Sequence, residues 1–245
     1  MKYLAVIPAR YASTRFPGKP LADILGKPLI QRVYENVVQS RLFDNVIVAT
    51  DDERIFRTVK DFGGEAVMTS ATHRSGTERC IETVEKLSEK GESYNITVNI
   101  QGDEPAVNKH QLAQLLHAFQ DDNVQIASLM KKIDDNREVK DPNIVKCVVG
   151  NTNKALYFSR SPIPFARNET RHYFKHTGVY AFRTPVLLRL KELPPSPLEQ
   201  AESLEQLRWL AAEIPIQMVE TTYESTGIDT PEDLDRYIKY LKENK

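Results

Sequence analysis

The chain has 245 residues, and its 33 lysines and arginines nearly balance 34 aspartates and glutamates, for a formal net charge of −1. That length suffices for one large domain whose core needs neither disulfides nor a structural metal, and the charge balance argues against nucleic acid or an anionic membrane as a partner. No stretch approaches the roughly 18 apolar residues of a membrane span, and Pro8 and Arg10 break the apolar start before it takes the form of a signal peptide, so a soluble, cytoplasmic protein is expected.

In chain order, short apolar runs alternate with helix-period segments. Tyr3–Ile7, Val46–Ala49 and Ile96–Ile100 read as strands. The faces Leu29, Ile30, Val33, Val37 and Val38, then Ile55, Phe56, Val59 and Phe62, then Cys80, Ile81, Val84 and Leu87 read as helices. Such alternation implies parallel strands covered on both faces. Cys80 and Cys147, far apart and outside any CxxC pair, read as small buried hydrophobes. Ser75-x-x-Glu78, Ser196-Pro-Leu-Glu199 and Thr230-Pro-Glu-Asp233 are helix starts, and Thr184-Pro185 has a similar form.

From about Lys131 the rhythm becomes strand-rich: Val145–Val149, Ala155–Phe158 and His176–Phe182, with an exposed loop marked by Pro162, Pro164 and Asn168–Tyr173. A helix over Leu198–Glu213, a strand over Pro215–Glu220 and a helix over Pro231–Lys242 follow. The reading is an α/β chain with a nucleotide-binding part over 1–130, a strand-rich insertion over 131–220 and a return to the core over 221–245. His172-x-x-x-His176 has the spacing of a helical zinc pair, but on loop and strand those positions lie about 13 Å apart, so zinc is rejected.

The chemistry-bearing residues lie after two of the strands. No two glycines stand two apart, so no dinucleotide fingerprint can be written, and Gly18-Lys19 and Gly26-Lys27 run into proline without the first glycine of a P-loop. Instead, the first strand runs into Pro8-Ala9-Arg10 and on through Arg15 to Lys19. Open α/β sheets bind ligands at strand carboxyl ends. There, two arginines can fork phosphate oxygens and a lysine can offer a compact charge to a polyphosphate; a solvated basic turn is the alternative. The strand at Val98 ends in Gln101-Gly102-Asp103-Glu104. A carboxylate at that edge, Asp103, suits Mg²⁺, which takes one or two protein carboxylates beside water and phosphate oxygens. Asp229 could be the second, or simply a charge at a helix start.

These residues form a recognisable set. IPARYASTRFPGKPL at Ile7–Leu21 resembles the signature loop of sugar nucleotidyltransferases with a Rossmann-like fold. In order follow HRSGTER at His73–Arg79, VNIQGDEP at Val98–Pro105, LYFSRSPIP at Leu156–Pro164, HTGVYAF at His176–Phe182, SPLEQAESLEQLRWL at Ser196–Leu210 and TGIDTPEDL at Thr226–Leu234. With Tyr11 and Ser13-Thr14-Arg15 in the first motif, the chain resembles the 3-deoxy-manno-octulosonate (Kdo) cytidylyltransferases over nearly its whole length.

The resemblance implies a nucleotide-diphospho-sugar transferase fold, with a mostly parallel central sheet and a strand-rich insertion. It also implies transfer of CMP from CTP to Kdo with Mg²⁺, activating Kdo for lipopolysaccharide synthesis, in a homodimer joined through the insertion. Arg10, Lys19, Asp103 and Asp229 would be the catalytic set, with Asp103 and Asp229 on the metal. Pro8, Ala9, Arg10, Arg15, Lys19, Ser75, Thr77, Arg79 and Gln101 would bind CTP. Gln101, Arg160, His176, Glu202, Glu205 and Gln206 would bind the sugar, with Arg160 forking its carboxylate and Glu202 and Gln206 projecting together from one helix; a solvated helical face is the alternative for Glu202, Glu205 and Gln206. The stretch between Pro164 and His176 is shorter than in many members. A cytidylyltransferase for sialic acid or an 8-amino sugar is the close rival, and a catalytically silent CTP- or sugar-binding regulator a more distant one.

Overall fold

Leu4, Ala5, Val6 and Ile7 have no solvent exposure, as a strand covered on both faces and paired along both edges requires. They lie in β1 (Tyr3–Ala9), which is followed by a small antiparallel pair, β2 (Asp23–Ile24) and β3 (Lys27–Pro28), then α1 (Leu29–Ser40), β4 (Asn45–Thr50), α2 (Glu53–Asp61), β5 (Glu65–Met68), α3 (Gly76–Glu89) and β6 (Ile96–Asn99). β1 pairs in parallel with both β4 and β6, and β4 pairs in parallel with β5. The three expected strands are therefore present, and the sheet they build is parallel. The computed structural model describes residues 1–13, 15–168, 172–224 and 227–244.

The helices of this part pack by the faces their periodicity dictates. α1 buries Leu29, Ile30, Val33 and Val37, while α3 buries Cys80, Ile81, Val84 and Leu87. Val38 is a correction: it is 45% exposed, because it lies one residue, or about 100°, around the helix from Val37. In α2, Ile55 and Val59 are buried and Asp52 caps the first turn by accepting from Arg54 N. β5 is only four residues long and carries no strong pattern, which is why periodicity missed it.

Two compact units divide the chain: Met1–Lys109 with Ser225–Lys245, and His110–Glu224. The second opens earlier than the change of rhythm near Lys131 suggested. It holds α4 (Lys109–His117), β7 (Ile126–Lys132), α5 (Asn136–Lys140), β8 (Lys146–Val149), β9 (Ala155–Ser159), β10 (Phe174–Arg183), α6 (Thr184–Arg189), α7 (Pro197–Glu202), α8 (Gln206–Ala211) and β11 (Ile216–Glu220). β7 is paired antiparallel with β10 and parallel with β11, partners so distant in sequence that no local pattern assigns them. β8 is antiparallel to both β10 and β9. The chain then ends in α9 (Pro231–Glu243), opened by the capping box of Thr230 and Asp233. Among the described residues, no helix is long and apolar enough to cross a membrane.

Two expected features of the second unit change. Thr184 is the first residue of α6 and not its cap. The helix read over Leu198–Glu213 is two short ones, because Ser203 adopts φ 52°, a left-handed conformation that ends α7. The loop expected at Asn168–Tyr173 lies partly outside the described residues, at Glu169–Arg171.

The second unit's core is aromatic. Trp209 on α8 is 1% exposed and meets Tyr180 and Phe182 of β10 edge-on, with ring centroids 5.0 and 5.4 Å apart. His176 of the same strand lies 5.1 Å from Phe158 and 5.2 Å from Tyr180, and its Nε2 is 2.9 Å from the buried Ser128 hydroxyl. This enclosure disfavours the charged ring, and burial pushes the imidazole down to about 3.

The unfolded chain takes up a proton at His176 below about pH 6.5 and the folded chain only below about pH 3. Stability therefore falls as pH drops from 6.5 toward 3, and His176→Phe should make that fall shallower in a series of melting temperatures against pH. Ser196 accepts from Leu198 N at 3.3 Å, and Glu199 accepts in return from Ser196 N. Ser196→Ala should cost about 1 kcal/mol in a denaturant titration.

Candidate active site

The first unit carries a cleft of about 250 Å³ where its strands end. The carboxyl end of β1 supplies Pro8, Ala9 and Arg10, and the loop beyond it supplies Ser13, Arg15, Lys19 and Pro20. The residues after β6 supply Gln101, Gly102 and Asp103; Asp229 comes from the residue before the cap of α9. His73, Arg74 and Ser75 lead into α3, whose Gly76 and Arg79 complete the lining. The dipole at that helix start favours an anion. Gly102, past the end of β6, runs close against β1: a Cβ there would stand 2.5 Å from Pro8 O, so only glycine permits this approach.

Charge is concentrated at one end of the cleft. Lys19 Nζ lies 2.7 Å from Asp103 Oδ2 and 3.3 Å from Asp229 Oδ1, and an Arg15 guanidinium nitrogen lies 3.2 Å from Asp229 Oδ2. The Ile228 N–H donates to Asp103 O at 2.9 Å, so the chain entering α9 is tied to the end of β6 and the two aspartates are set side by side. Asp229 stands just before the cap of α9. Thr230 and Asp233 do the capping, and Asp233 also accepts from Asp229 N at 3.0 Å, which leaves the Asp229 carboxylate directed at the cations. Arg10 is exposed at the rim.

The loop before α3 departs in part from expectation. Ser75 caps the helix by accepting from Glu78 N, while the Glu78 carboxylate accepts from Arg74 N at 2.6 Å. Thr77 is 2% exposed in the first turn and does not line the cleft. Arg79 reaches the lining but is 4% exposed, and its guanidinium is committed to Thr69 Oγ1 at 2.8 Å, Ser70 O at 3.2 Å and Asp51 Oδ2 at 2.8 Å. It braces this loop from within. His73 sits between Glu82 and Glu78. Burial works against ionisation of Glu82, but hydrogen bonds from Lys86, Ser70 N and His73 outweigh it and hold the carboxyl at about 2. Ser13, Pro20, His73, Arg74, Gly76 and Gly102 also line the cleft without having been assigned to it, although all lie inside the quoted motifs. Thr14 and Thr226 of those motifs lie outside the described residues.

Of the expected sugar residues, Gln101 lines the cleft of the first unit and the others belong to the second. There Arg160, just past β9, is fixed from several directions. Its Nε donates to Glu202 O at 2.9 Å, a terminal nitrogen donates to Pro142 O at 3.0 Å, and its backbone N–H donates to Glu202 Oε2 at 2.9 Å. Ser159 Oγ donates to the other Glu202 oxygen. Underneath, the fully buried Lys146 ammonium spends its donors on three carbonyls: Asp141 at 2.8 Å, Ile144 at 2.6 Å and Arg160 at 2.5 Å. Gln206 is 4% exposed and its side-chain nitrogen lacks a partner among the described residues. Glu202 ends α7, Glu205 precedes α8 and Gln206 opens it, so Glu202 and Gln206 do not share a helical face as their spacing suggested. His176 is held by Ser128. Cys80 and Cys147 are buried free thiols, and burial pushes the Cys147 thiol up to about 12.

Known proteins resemble this chain over its full length. A family model described as cytidylyltransferase matches residues 4–220. A 3-deoxy-manno-octulosonate cytidylyltransferase of Parabacteroides distasonis is 50% identical over 98% of this chain and 98% of its own, and one of Thermodesulfovibrio yellowstonii is 48% identical over 96% of each. A solved CMP:2-keto-3-deoxy-manno-octonic acid synthetase complexed with CTP superposes with a TM-score of 0.94 at 44% identity, covering all of both chains. A 4-diphosphocytidyl-2C-methyl-D-erythritol synthase of Anaerococcus prevotii, 16% identical over 98% of this chain and 99% of its own, shares the fold with a TM-score of 0.65. The strand-end cleft, the ordered motifs and full-length identity of this degree agree: the chain is a nucleotidyltransferase and belongs to the family of 3-deoxy-manno-octulosonate cytidylyltransferases.

Proposed function

We propose that this chain transfers CMP from CTP to the anomeric hydroxyl of Kdo, releasing pyrophosphate and activating the sugar for lipopolysaccharide synthesis. The observation that carries the reading is the convergence of Arg15, Lys19, Asp103 and Asp229 in one strand-end cleft, with Arg10 at its rim. Arg10, Arg15 and Lys19 neutralise the triphosphate, while Pro8, Ala9, Ser75 and Gln101 line the space beside it. The sugar hydroxyl attacks the α-phosphorus, forming the new P–O bond as the bond to pyrophosphate breaks. The chain contributes by positioning and by charge placed where it develops, with no covalent intermediate.

The donor set fits Mg²⁺. Two carboxylates on either side of one cation suit a metal that completes its octahedron with water and phosphate oxygens, and among the described residues no cluster of three or more acidic, histidine or cysteine side chains builds an all-protein cage. Asp103 and Asp229 would hold the ion, which when bound supplies charge neutralisation on the phosphates and acidifies the attacking hydroxyl. For the sugar, Arg160 is the carboxylate fork, and the unsatisfied Gln206 nitrogen is a donor suited to a hydroxyl. Use of CTP and two free cysteines argue for a cytoplasmic enzyme. Exposed Leu156 and Phe165 in the second unit, 64% and 88% accessible, favour a homodimer joined there.

The chain incubated with CTP, Mg²⁺ and either Kdo or sialic acid should release pyrophosphate only with Kdo; release with sialic acid alone would overturn the substrate assignment. Asp103→Asn should lower kcat by at least about 100-fold with the melting temperature retained, and a near-native rate would sink the metal assignment. Light scattering should give twice the 28.0 kDa chain mass, whereas a monomer would remove the dimer.

A further inference from the structure

We propose that Tyr11 is the positioning residue of the phosphate loop, closing it as a clasp against Arg54 and Gly18; the inference rests on the nucleotide reading of the cleft given above. Tyr11 does not itself line the cleft. The Arg54 guanidinium lies 3.3 Å over the centroid of its ring, a cation–π contact. Arg54 is in turn held by two nearly parallel bonds to Asp52, Nε to Oδ1 at 2.9 Å and a terminal nitrogen to Oδ2 at 2.6 Å. Because Asp52 also caps α2, the ring rests on a cation anchored to the start of a helix.

Gly18 closes the clasp. Its N–H donates to Tyr11 O at 2.9 Å, and its φ of +72° is one that glycine takes without strain. A Cβ there would stand 3.0 to 3.1 Å from Tyr11 ring carbons and the phenolic oxygen, so the ring lies directly against the glycine. Tyr11 and Gly18 thus join the two ends of the loop. The residues just outside the join are Arg10 and Lys19, which both reach the cleft. Tyr11 acts on the nucleotide only through them, by lowering the entropy lost when the loop's cations settle on phosphate.

The test is CTP affinity by calorimetry, together with steady-state kinetics, for Tyr11→Phe, Tyr11→Leu, Arg54→Gln, Arg54→Lys and the control Lys19→Ala. The clasp predicts that Tyr11→Phe, which keeps the ring, binds CTP like the parent, while Tyr11→Leu loses roughly tenfold in affinity. Arg54→Gln should lose about 2- to 5-fold and Arg54→Lys less, with KM for Kdo and the melting temperature unchanged throughout. If Lys19→Ala weakens CTP binding and Tyr11→Leu does not, the clasp is wrong and the nucleotide reading stands. If Lys19→Ala leaves CTP affinity intact, the reading fails and takes the clasp with it. A loss in Tyr11→Leu matched by a raised KM for Kdo and a lowered melting temperature would show a merely structural ring and also overturn the proposal.

Discussion

Lys19 between Asp103 and Asp229 is the interaction on which the first unit's cleft depends. Two carboxylates at neighbouring strand and helix ends repel, and the lysine side chain, 11% exposed, offsets that repulsion where solvent screens it least. The more open Arg15–Asp229 pair, with side chains 64% and 48% exposed, adds little stability of its own. A site built this way gathers its cations and its carboxylates in one place.

The elements around the cleft are arranged so that local satisfaction leaves the functional groups available. At α9, Thr230 and Asp233 satisfy the helix start, which frees Asp229. At α3, Ser75 caps and Arg79 is buried in bonds to Asp51, Thr69 and Ser70, which fixes the loop that brings His73 and Arg74 to the rim. The second unit uses the same economy on a larger scale. Lys146 is buried with its donors matched by carbonyls, and Arg160 stands on one of them. Removing a partner from such a set leaves buried polar groups unpaired, which costs more than the bond contributes.

Much of this was legible in residues. The runs at Tyr3, Val46 and Ile96 become β1, β4 and β6 because a strand covered on both faces must be continuously apolar. The faces of α1 and α3 follow from period alone, apart from Val38. The hydroxyl starts at Ser75, Ser196 and Thr230 are caps because their chemistry is local. Less was legible beyond Lys109: β7 joins partners some distance along the chain, and Ser203 breaks the stretch read as one helix over Leu198–Glu213. Thr77 and Arg79 were both assigned to the nucleotide; Thr77 is buried in a helical turn, while Arg79 lines the cleft and also binds Asp51 and its neighbours.

Sequence alone therefore determined the alternation of strand and helix, the helix starts, the absence of a glycine fingerprint and the family of motifs, since each is written within a few consecutive residues. Only the tertiary structure decided that Asp103 and Asp229 share Lys19, that Arg79 pairs with Asp51, that Tyr11 meets Arg54, and that Lys146 donates to the Arg160 carbonyl. The physical reason is the same in each case: the partner of a charge is chosen by which distant segments end side by side, and no local pattern carries that information.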